Sequence, residues 1–215
     1  GGKARLCYSA ELEKVGMATA LSTTRYDMRA ATVGNYALFA GGLKPDLTST
    51  KTVDAYNTSL TKSTPAEMEY GRCYHAAASI GGYALFTCGQ EKTNGYDIFV
   101  GTTELTHTMA TNLTGIPREY VRGASVGNYA LFAGGQQFEK KSNVLWEVFM
   151  VDAYDATLTK TRASNLGSNK NRDAAATVGN HAVFVGSPDS ADIYDASLTR
   201  TSAAILSTAR TGLAA

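Results

Sequence analysis

VGNYALFAGG, residues 33–42, is the stretch that decides the fold of this 215-residue chain. It returns as IGGYALFTCG at 80–89, as VGNYALFAGG at 126–135 and, more changed, as VGNHAVFVGS at 178–187. A motif that recurs every 40 to 50 residues or so is typical of an array of similar units that stack to bury their apolar faces. The sequence therefore predicts an architecture before it says anything about activity.

Each unit reads as four short strands, named here a to d. Residues 36–40, strand b, are apolar on both alternations, as expected of a strand covered on both faces. Gly34-Asn35 reads as a two-residue hairpin turn that joins strand b to strand a, residues 29–33. A second marker, VDAY at 53–56 followed by LTK at 60–62, predicts strands c and d and recurs at 151–160 and 191–200. In its copy at 151–160, Asp155 is placed to bond its own backbone two residues on.

Four antiparallel strands, with the second buried on both faces, describe one blade of a β-propeller. At about 45 residues a blade, the chain holds about five blades: four complete ones and one split between the termini. We therefore interpret residues 1–215 as a single all-β domain. When the two ends are aligned on the repeat, the split blade lacks its strand b. This predicts that the chain is a window of a longer repetitive chain. In a five-bladed parent ring, the split blade leaves a slot that is empty, collapsed or filled by a strand of another chain, whereas in a larger ring the two half-blades diverge.

One segment resembles a kelch repeat. It runs Arg72-Cys73-Tyr74-His75-Ala76 and continues into the apolar strand and glycine of 83–89. Glycine pairs at 41–42 and 134–135 and the Tyr of strand c also fit. The Trp that usually follows that Tyr is missing, and four basic residues stand in its place: Lys14, Lys62, Lys160 and Arg200. The resemblance implies a kelch-like β-propeller of a divergent kind.

Composition excludes several classes of function. The formal net charge is +1, which gives no argument for a nucleic-acid or membrane partner, and no apolar stretch reaches the ~20 residues of a membrane span. The three cysteines, Cys7, Cys73 and Cys88, lack metal-ligand spacing, so no metal or cofactor is predicted. Cys73 and Cys88 fall diagonally on neighbouring strands. Both a disulfide and two buried thiols stay open, and with them the redox compartment and the localisation.

Five cations occupy equivalent positions before or within strand a: Arg25, Arg72, Arg118, Lys170 and Arg210. Strand a is the innermost strand of a blade, so these residues are expected around one mouth of the central channel. A cationic ring there suits a carboxylate, a phosphate or an acidic sugar. In the structural interpretation, each side chain instead bonds backbone carbonyls of the adjacent blade.

The other polar candidates are interpreted as structural. The carboxylates Asp54, Asp97, Asp152 and Asp192 lie two residues before the aromatic residue of strand c and are expected to pair with neighbouring strands. His75, His107 and His181 have no second ligand at zinc spacing, and we expect packing roles for them. The basic residues in place of the Trp are expected to protect an exposed strand edge.

The b–c loops are the predicted binding surface, because they differ between blades on a constant scaffold. Their predicted bounds are 43–52, 90–95, 136–147 and 187–190. The longest loop holds the aromatic and charged residues suited to a partner contact: Phe138, Glu139, Lys140, Lys141 and Trp146.

The sequence favours a non-catalytic recognition module over an enzyme. We expect a protein partner in preference to a glycan, because no cluster of exposed aromatic residues marks a surface for sugars. Two alternatives remain. The resemblance admits a small carbohydrate-active enzyme of the sialic acid mutarotase kind, whose site lies in a propeller mouth lined by Arg, Glu and His. The plain repeats also suit an architectural part of a surface or virion assembly.

Overall fold

The computed structural model describes residues 18–89, 98–114, 118–139, 144–167, 172–186 and 190–202. Within these ranges the chain has no helix and forms four four-stranded antiparallel sheets. Blade 1 consists of β1 (Arg29–Val33), β2 (Tyr36–Ala40), β3 (Val53–Asn57) and β4 (Lys62–Ser63). Blade 2 consists of β5 (Ala76–Ile80), β6 (Tyr83–Thr87), β7 (Ile98–Thr102) and β8 (His107–Ala110).

Blade 3 contains β9 (Arg122–Val126), β10 (Tyr129–Ala133), β13 (Val151–Tyr154) and β14 (Lys160–Arg162). Between its second and third strands lies a separate hairpin, β11 (Gln136–Glu139) with β12 (Val144–Glu147). Blade 4 consists of β15 (Arg172–Val178), β16 (His181–Gly186), β17 (Ser190–Asp195) and β18 (Arg200–Ser202). These strands confirm the predicted a–b–c–d order. The predicted split blade falls on residues 1–17 and 203–215, outside the described residues.

The hairpins follow the predicted register. Val33 pairs with Tyr36 across the a–b turn, and Ile80 pairs with Tyr83 in the next blade. In the c–d turn of blade 3, the carboxylate of Asp155 accepts the backbone N–H of Thr157 at 2.8 Å and that of Thr159 at 3.0 Å. The predicted backbone bond of Asp155 is thereby confirmed.

Successive blades stack along their inner strands, β1 on β5, β5 on β9 and β9 on β15. Each of three apolar clusters spans two neighbouring blades. The strand b residues Leu85 and Phe86 face opposite neighbours and are both 0% exposed, as are Leu131 and Phe132. Strand b is therefore covered on both faces, as predicted.

Three residues that we expected to be almost wholly buried are only half-buried: Tyr36, Phe39 and Tyr129. The two tyrosines lie at the end of strand b, next to the a–b turn, where solvent reaches the ring. Phe39 faces away from blade 2, because its neighbour Leu38 packs into the cluster shared with blade 2. The same motif residue is therefore buried to different extents, depending on where it lies along strand b and on which blade carries it.

The inner strands are joined by hydroxyl groups at one equivalent position, occupied by Thr32, Ser79, Ser125 and Thr177. Thr32 donates its N–H to the Ser79 hydroxyl at 3.0 Å, and the Ser125 hydroxyl donates to the Ser79 carbonyl. The Thr177 hydroxyl donates to the Ser125 carbonyl at 2.7 Å. Strand a pairs with only one strand of its own sheet, so these hydroxyls bond backbone groups on an otherwise unpaired edge.

Candidate functional site

The three cations of the predicted ring that the structure describes point into the blades. Arg25, Arg72 and Arg118 are 6%, 2% and 0% exposed. Arg118 donates to the carbonyl oxygens of Gly134 and Met150, at 3.0 and 3.1 Å, and forms an ion pair with Asp152 at 2.7 Å.

The other two described arginines make equivalent contacts. Arg25 donates to the Phe39 carbonyl at 3.0 Å and pairs with Asp54 at 2.9 Å, while Arg72 donates to the Cys88 carbonyl. All of these acceptors belong to the blade that the arginine precedes. The expectation of carbonyls on an adjacent blade is therefore corrected, and an anion would have to displace internal contacts. Lys170 and Arg210 lie outside the described residues.

The backbone of the same arginines makes the connection between blades. The Gly42 N–H of blade 1 donates to the Arg72 carbonyl at 2.8 Å, and the Gly89 N–H of blade 2 donates to the Arg118 carbonyl at 2.9 Å. Gly89 has φ +94°, and a Cβ there would lie 2.3 Å from the Cys73 carbonyl oxygen. Only glycine satisfies both the left-handed backbone and the close approach. The glycine that ends the apolar motif of blades 1 and 2 is therefore a joint to the next blade.

The strand c carboxylates are structural, as predicted, in the three copies that the structure describes. Asp54 and Asp152 hold the buried arginines, and Asp192 pairs with Arg200 at 2.7 Å. Each also accepts a backbone N–H from the incoming link between blades, at Ser22, Thr114 and Gly167. Asp97 lies outside the described residues.

The tyrosine of strand c and the basic residue of strand d hold the same link. The Tyr154 hydroxyl donates to the Thr111 carbonyl at 2.6 Å, and Lys160 donates to the Asn112 carbonyl. In blade 1 the Tyr56 hydroxyl bonds Thr19 and Lys62 bonds Ala20. The expectation that these lysines only protect an exposed edge is wrong: in place of the missing Trp, each fixes the segment that enters its blade.

The remaining predicted residues are scattered. Trp146 lies in β12 opposite Gln137 and is 57% exposed. Phe138 lies in β11, and its side chain, like Lys140 and Lys141, lies outside the described part.

His75 is buried, whereas His107 and His181 are exposed on separate elements. Among the described residues, no group of three or more His, Cys, Asp or Glu side chains could hold a metal ion. Cys73 and Cys88 are both buried and are not joined in a disulfide.

A different cluster forms where the inner strands begin. This end of the array, called here the loop face, also carries the b–c loops, because Tyr26 bridges Leu43 and Glu119 bridges Gln136. The tyrosine cluster consists of Tyr26, Tyr74 and Tyr120, with the carboxylates of Asp27 and Glu119. Tyr26 is 45% and Tyr120 37% exposed. The cluster therefore presents aromatic and carboxylate groups to solvent at the mouth.

The backbone fixes the position of the two central rings. The Tyr120 N–H donates to the Tyr74 carbonyl across the joint of blades 2 and 3 at 3.0 Å. The ring centroids lie 5.0 Å apart, with planes tilted by 33°. Tyr74 and Tyr120 have φ of 54° and 59°, and Asp27 in the equivalent position has 53°. Bulky residues rarely adopt this left-handed conformation, and strain of this kind concentrates at functional sites.

Burial and neighbouring charges shift the pKa values of the groups in the cluster. Burial raises the pKa of Tyr120, and the negative charges of Glu119, Cys73 and Asp27 add to the effect while Arg122 opposes it. The pKa of Tyr74 is raised by burial and by Asp27. The pKa of Glu119 is also raised by burial. Tyrosine is protonated at neutral pH even at its ordinary pKa of about 10, so both phenols can donate hydrogen bonds to a ligand.

A sequence signal for this cluster existed. Tyrosine follows the aligned cation by two residues at Arg72 and Arg118 and by one residue at Arg25. The left-handed residue after each arginine breaks the two-residue alternation of a strand. The arginine therefore turns into its blade, and the aromatic residue comes to the mouth.

Comparison with known proteins supports the fold. No family model matches the chain, and no curated protein matches its sequence. Its structure is similar to that of YjhT, with a TM-score of 0.64 and 10% sequence identity. The similarity covers 85% of this chain and 66% of that one, so this chain spans about two thirds of its length. Sheet architecture and structural similarity together show an all-β protein with the fold of a β-propeller.

Proposed function

We propose that this protein is a divergent kelch-type recognition module that binds a glycan at the tyrosine cluster of its loop face. The observation that carries the proposal is the Tyr74–Tyr120 pair. The two rings stand in contact at the mouth, held by strained backbone, beside Asp27 and Glu119. An aromatic body with a hydroxyl tip suits a ligand that is apolar on one side and polar on the other.

Sugars have this amphipathic character. Their C–H faces pack on aromatic rings, while carboxylates and phenols exchange hydrogen bonds with their hydroxyl groups. The sequence favoured a protein partner because no group of exposed aromatics was visible in it. The tyrosine cluster removes that reason, since it brings together residues that are more than 40 positions apart.

The hairpin β11–β12 extends the proposed surface. It starts beside the cluster, because Gln136 exchanges two backbone hydrogen bonds with Glu119, at 2.8 and 2.9 Å. Trp146 on this hairpin supplies a further exposed ring. We assign the hairpin to the rim of the site, where it contacts the outer residues of an oligosaccharide.

The first experiment is a glycan array followed by calorimetric titration of the best ligand. Replacing Tyr120 by alanine should weaken binding at least tenfold, because it removes one ring of the pair. Met109, exposed on β8 and outside the cluster, gives the control variant Met109→Ala, which should bind normally. Absence of any glycan ligand, or equal affinity of the Tyr120→Ala variant, would contradict the proposal.

Glu119 favours a second candidate function, a mutarotase-like activity. Burial raises the pKa of this carboxyl group at the mouth, and a carboxyl so placed can exchange protons with a sugar. The fold is compatible with both functions. Catalysed exchange between the two anomers of a bound sugar, followed by NMR and lost in Glu119→Gln, would establish the enzyme. If the protein binds the sugar but does not accelerate exchange between its anomers, the protein is a recognition module and not an enzyme.

A further inference from the structure

A polar cavity lies between blades 2 and 3, at the end of the array opposite the loop face. This end carries the a–b and c–d turns and is called here the turn face. The cavity has a volume of about 440 Å³. Its lining includes Gly82, Tyr83, Thr103, Glu104, Thr106 and Ala156.

In blades 1 to 3, the a–b turn meets the c–d turn of the next blade. A Cβ on Gly34 would lie 3.0 Å from a methyl group of Thr103, one on Gly81 3.1 Å from Ala156, and one on Gly127 2.7 Å from Ala196. These contacts repeat along the array. The cavity therefore lies at one of these repeated turn–turn contacts, where blade 2 differs from the other blades.

The departure has an identifiable cause in the sequence. The second residue of the a–b turn is asparagine at positions 35, 128 and 180, but glycine at position 82. A Cβ at Gly82 would meet no atom within 4 Å. The missing side chain leaves space next to Tyr83.

Two further departures line the same cavity. The first residue of the c–d turn is Asn57, Asp155 or Asp195 in the other blades, and Thr102 in blade 2. The Thr102 hydroxyl replaces the side-chain hydrogen bonds of Asn or Asp in this turn, since it bonds the Thr106 hydroxyl at 2.8 Å. The third residue of the turn is serine or threonine in the other blades and Glu104 in blade 2. Blade 2 thus replaces three repeat residues around one cavity. It gains space, and its turn carries a carboxylate at the third position, where blades 3 and 4 carry one at the first.

The chemistry of the lining points to a cation. Glu104 supplies a negative charge, no lining residue is basic, and Tyr83 also lines the cavity. A carboxylate beside an aromatic ring attracts an ammonium group by charge and by cation–π contact. The exposed hydroxyl of Thr103 offers a partner to a hydroxyl group of the ligand.

We propose that this cavity binds a small molecule that carries a primary ammonium group beside hydroxyl groups, such as a 2-amino sugar. This site is separate from the tyrosine cluster, which lies at the other end of the array, and it does not depend on the function proposed there.

Calorimetric titration with glucosamine and with glucose tests the proposal. Glucosamine should bind and glucose should bind at least tenfold more weakly, because only the former has the ammonium group. Spermidine, which has ammonium groups and no hydroxyl groups, tests whether the hydroxyl groups matter. It should bind more weakly than glucosamine, and tighter binding would contradict the proposal.

Two variants locate the site. Gly82→Asn restores the residue of the other three turns, is compatible with the backbone there, and should weaken glucosamine binding at least tenfold by filling the cavity. Glu104→Gln should weaken it similarly by removing the charge. Asn128→Gly, the reverse change in blade 3, should leave it unchanged. Absence of glucosamine binding, equal binding of glucose, or unchanged affinity in both cavity variants would overturn the proposal.

Discussion

Arg118 uses its side chain and its backbone for different blades. The guanidinium bonds Gly134, Met150 and Asp152 within blade 3, while the carbonyl accepts the Gly89 N–H of blade 2. Neither the guanidinium nor the carboxylate of Asp152 reaches solvent. A charge in such a place depends on its partner, since desolvation penalises each member of the pair when it stands alone.

Replacing Arg118 by methionine should therefore lower the free energy of unfolding by about 3 to 5 kcal/mol, measured by urea denaturation. The reason is that Asp152 stays buried but no longer has a positively charged partner. The double variant Arg118→Met with Asp152→Leu should recover part of the loss, because it removes the isolated charge.

Arg162 gives the matched control for this prediction. It is exposed on β14 and donates to the Asn165 side chain. Arg162→Met should change stability by no more than about 0.5 kcal/mol. An Arg118→Met variant as stable as Arg162→Met would show that the buried pair is dispensable.

Prediction at this scale succeeded for the carboxylates and went wrong on the orientation of the arginines. The role of Asp54 could be predicted because every repeat holds a carboxylate on the same face of strand c. The orientation of Arg72 could not, because it depends on the left-handed backbone of Tyr74. Composition gives no sign of that conformation, which is unusual for tyrosine.

Strand b is the element that ties the array together, since its two faces meet different blades. Phe132 packs against Ala76, Ala78 and Cys88 of blade 2 and contacts Tyr154 edge to face at 5.9 Å. Its exposure is 0%. The ring fills the joint between two sheets, and its removal leaves a cavity that neither sheet can close.

We expect Phe132→Ala to lower the free energy of unfolding by about 3 to 5 kcal/mol, in the range of aromatic deletions from packed cores. The repeat supplies its own control, because Phe39 is the same residue of the same motif but is half-buried. Phe39→Ala should cost less by at least about 1 kcal/mol. Equal losses in denaturation experiments would mean that the neighbouring blade adds nothing to the packing of Phe132.

Elements with a repeated local pattern could be predicted from sequence, and the connections between them could not. The four strands of each blade follow from alternation and turn residues. The hairpin β11–β12 was expected only as a variable loop, because it occurs once and has no copy to align. The links were missed as well, although Met68, Leu113 and Leu166 bury their side chains between blades. Their signal is an apolar residue four or five positions before each aligned cation.

At the scale of the whole molecule, each blade that the structure describes contacts the described blade next to it along the chain, through one joint after another. His75 lies in the joint of blades 1 and 2: its side chain is 0% exposed, and a Cβ on Gly41 of blade 1 would lie 2.9 Å from its ring. Burial holds the pKa of His75 well below its usual value of 6.5, and the positive charges of Arg72 and Arg29 add to the effect. In an array of this kind, a change at one joint alters the stability of the whole.

This burial predicts that the protein loses stability as the pH falls below about 6.5. The unfolded chain takes up a proton at His75 near that pH and the folded chain does not, so acid favours unfolding. The contribution is fully present above pH 6.5 and falls by at most about 1.4 kcal/mol for each pH unit below it. Urea denaturation between pH 5 and 7.5 measures the slope.

His75→Phe should flatten the slope, because it removes the titrating group while keeping a ring at the joint. His107→Gln, a change at an exposed histidine of β8, should keep the wild-type slope. A wild-type slope that persists in His75→Phe would assign the pH dependence to other groups.

The joint between blades has a consequence for how such a chain grows. At the two described joints, the glycine N–H and the arginine carbonyl that meet are backbone atoms, and a copied unit carries them whatever its other side chains become. An in-frame duplication of one blade therefore inherits both halves of the connection at once. Lengthening the chain requires no newly evolved interface, and the duplicated surface residues are free to diverge, as Gly82, Thr102 and Glu104 have done in blade 2.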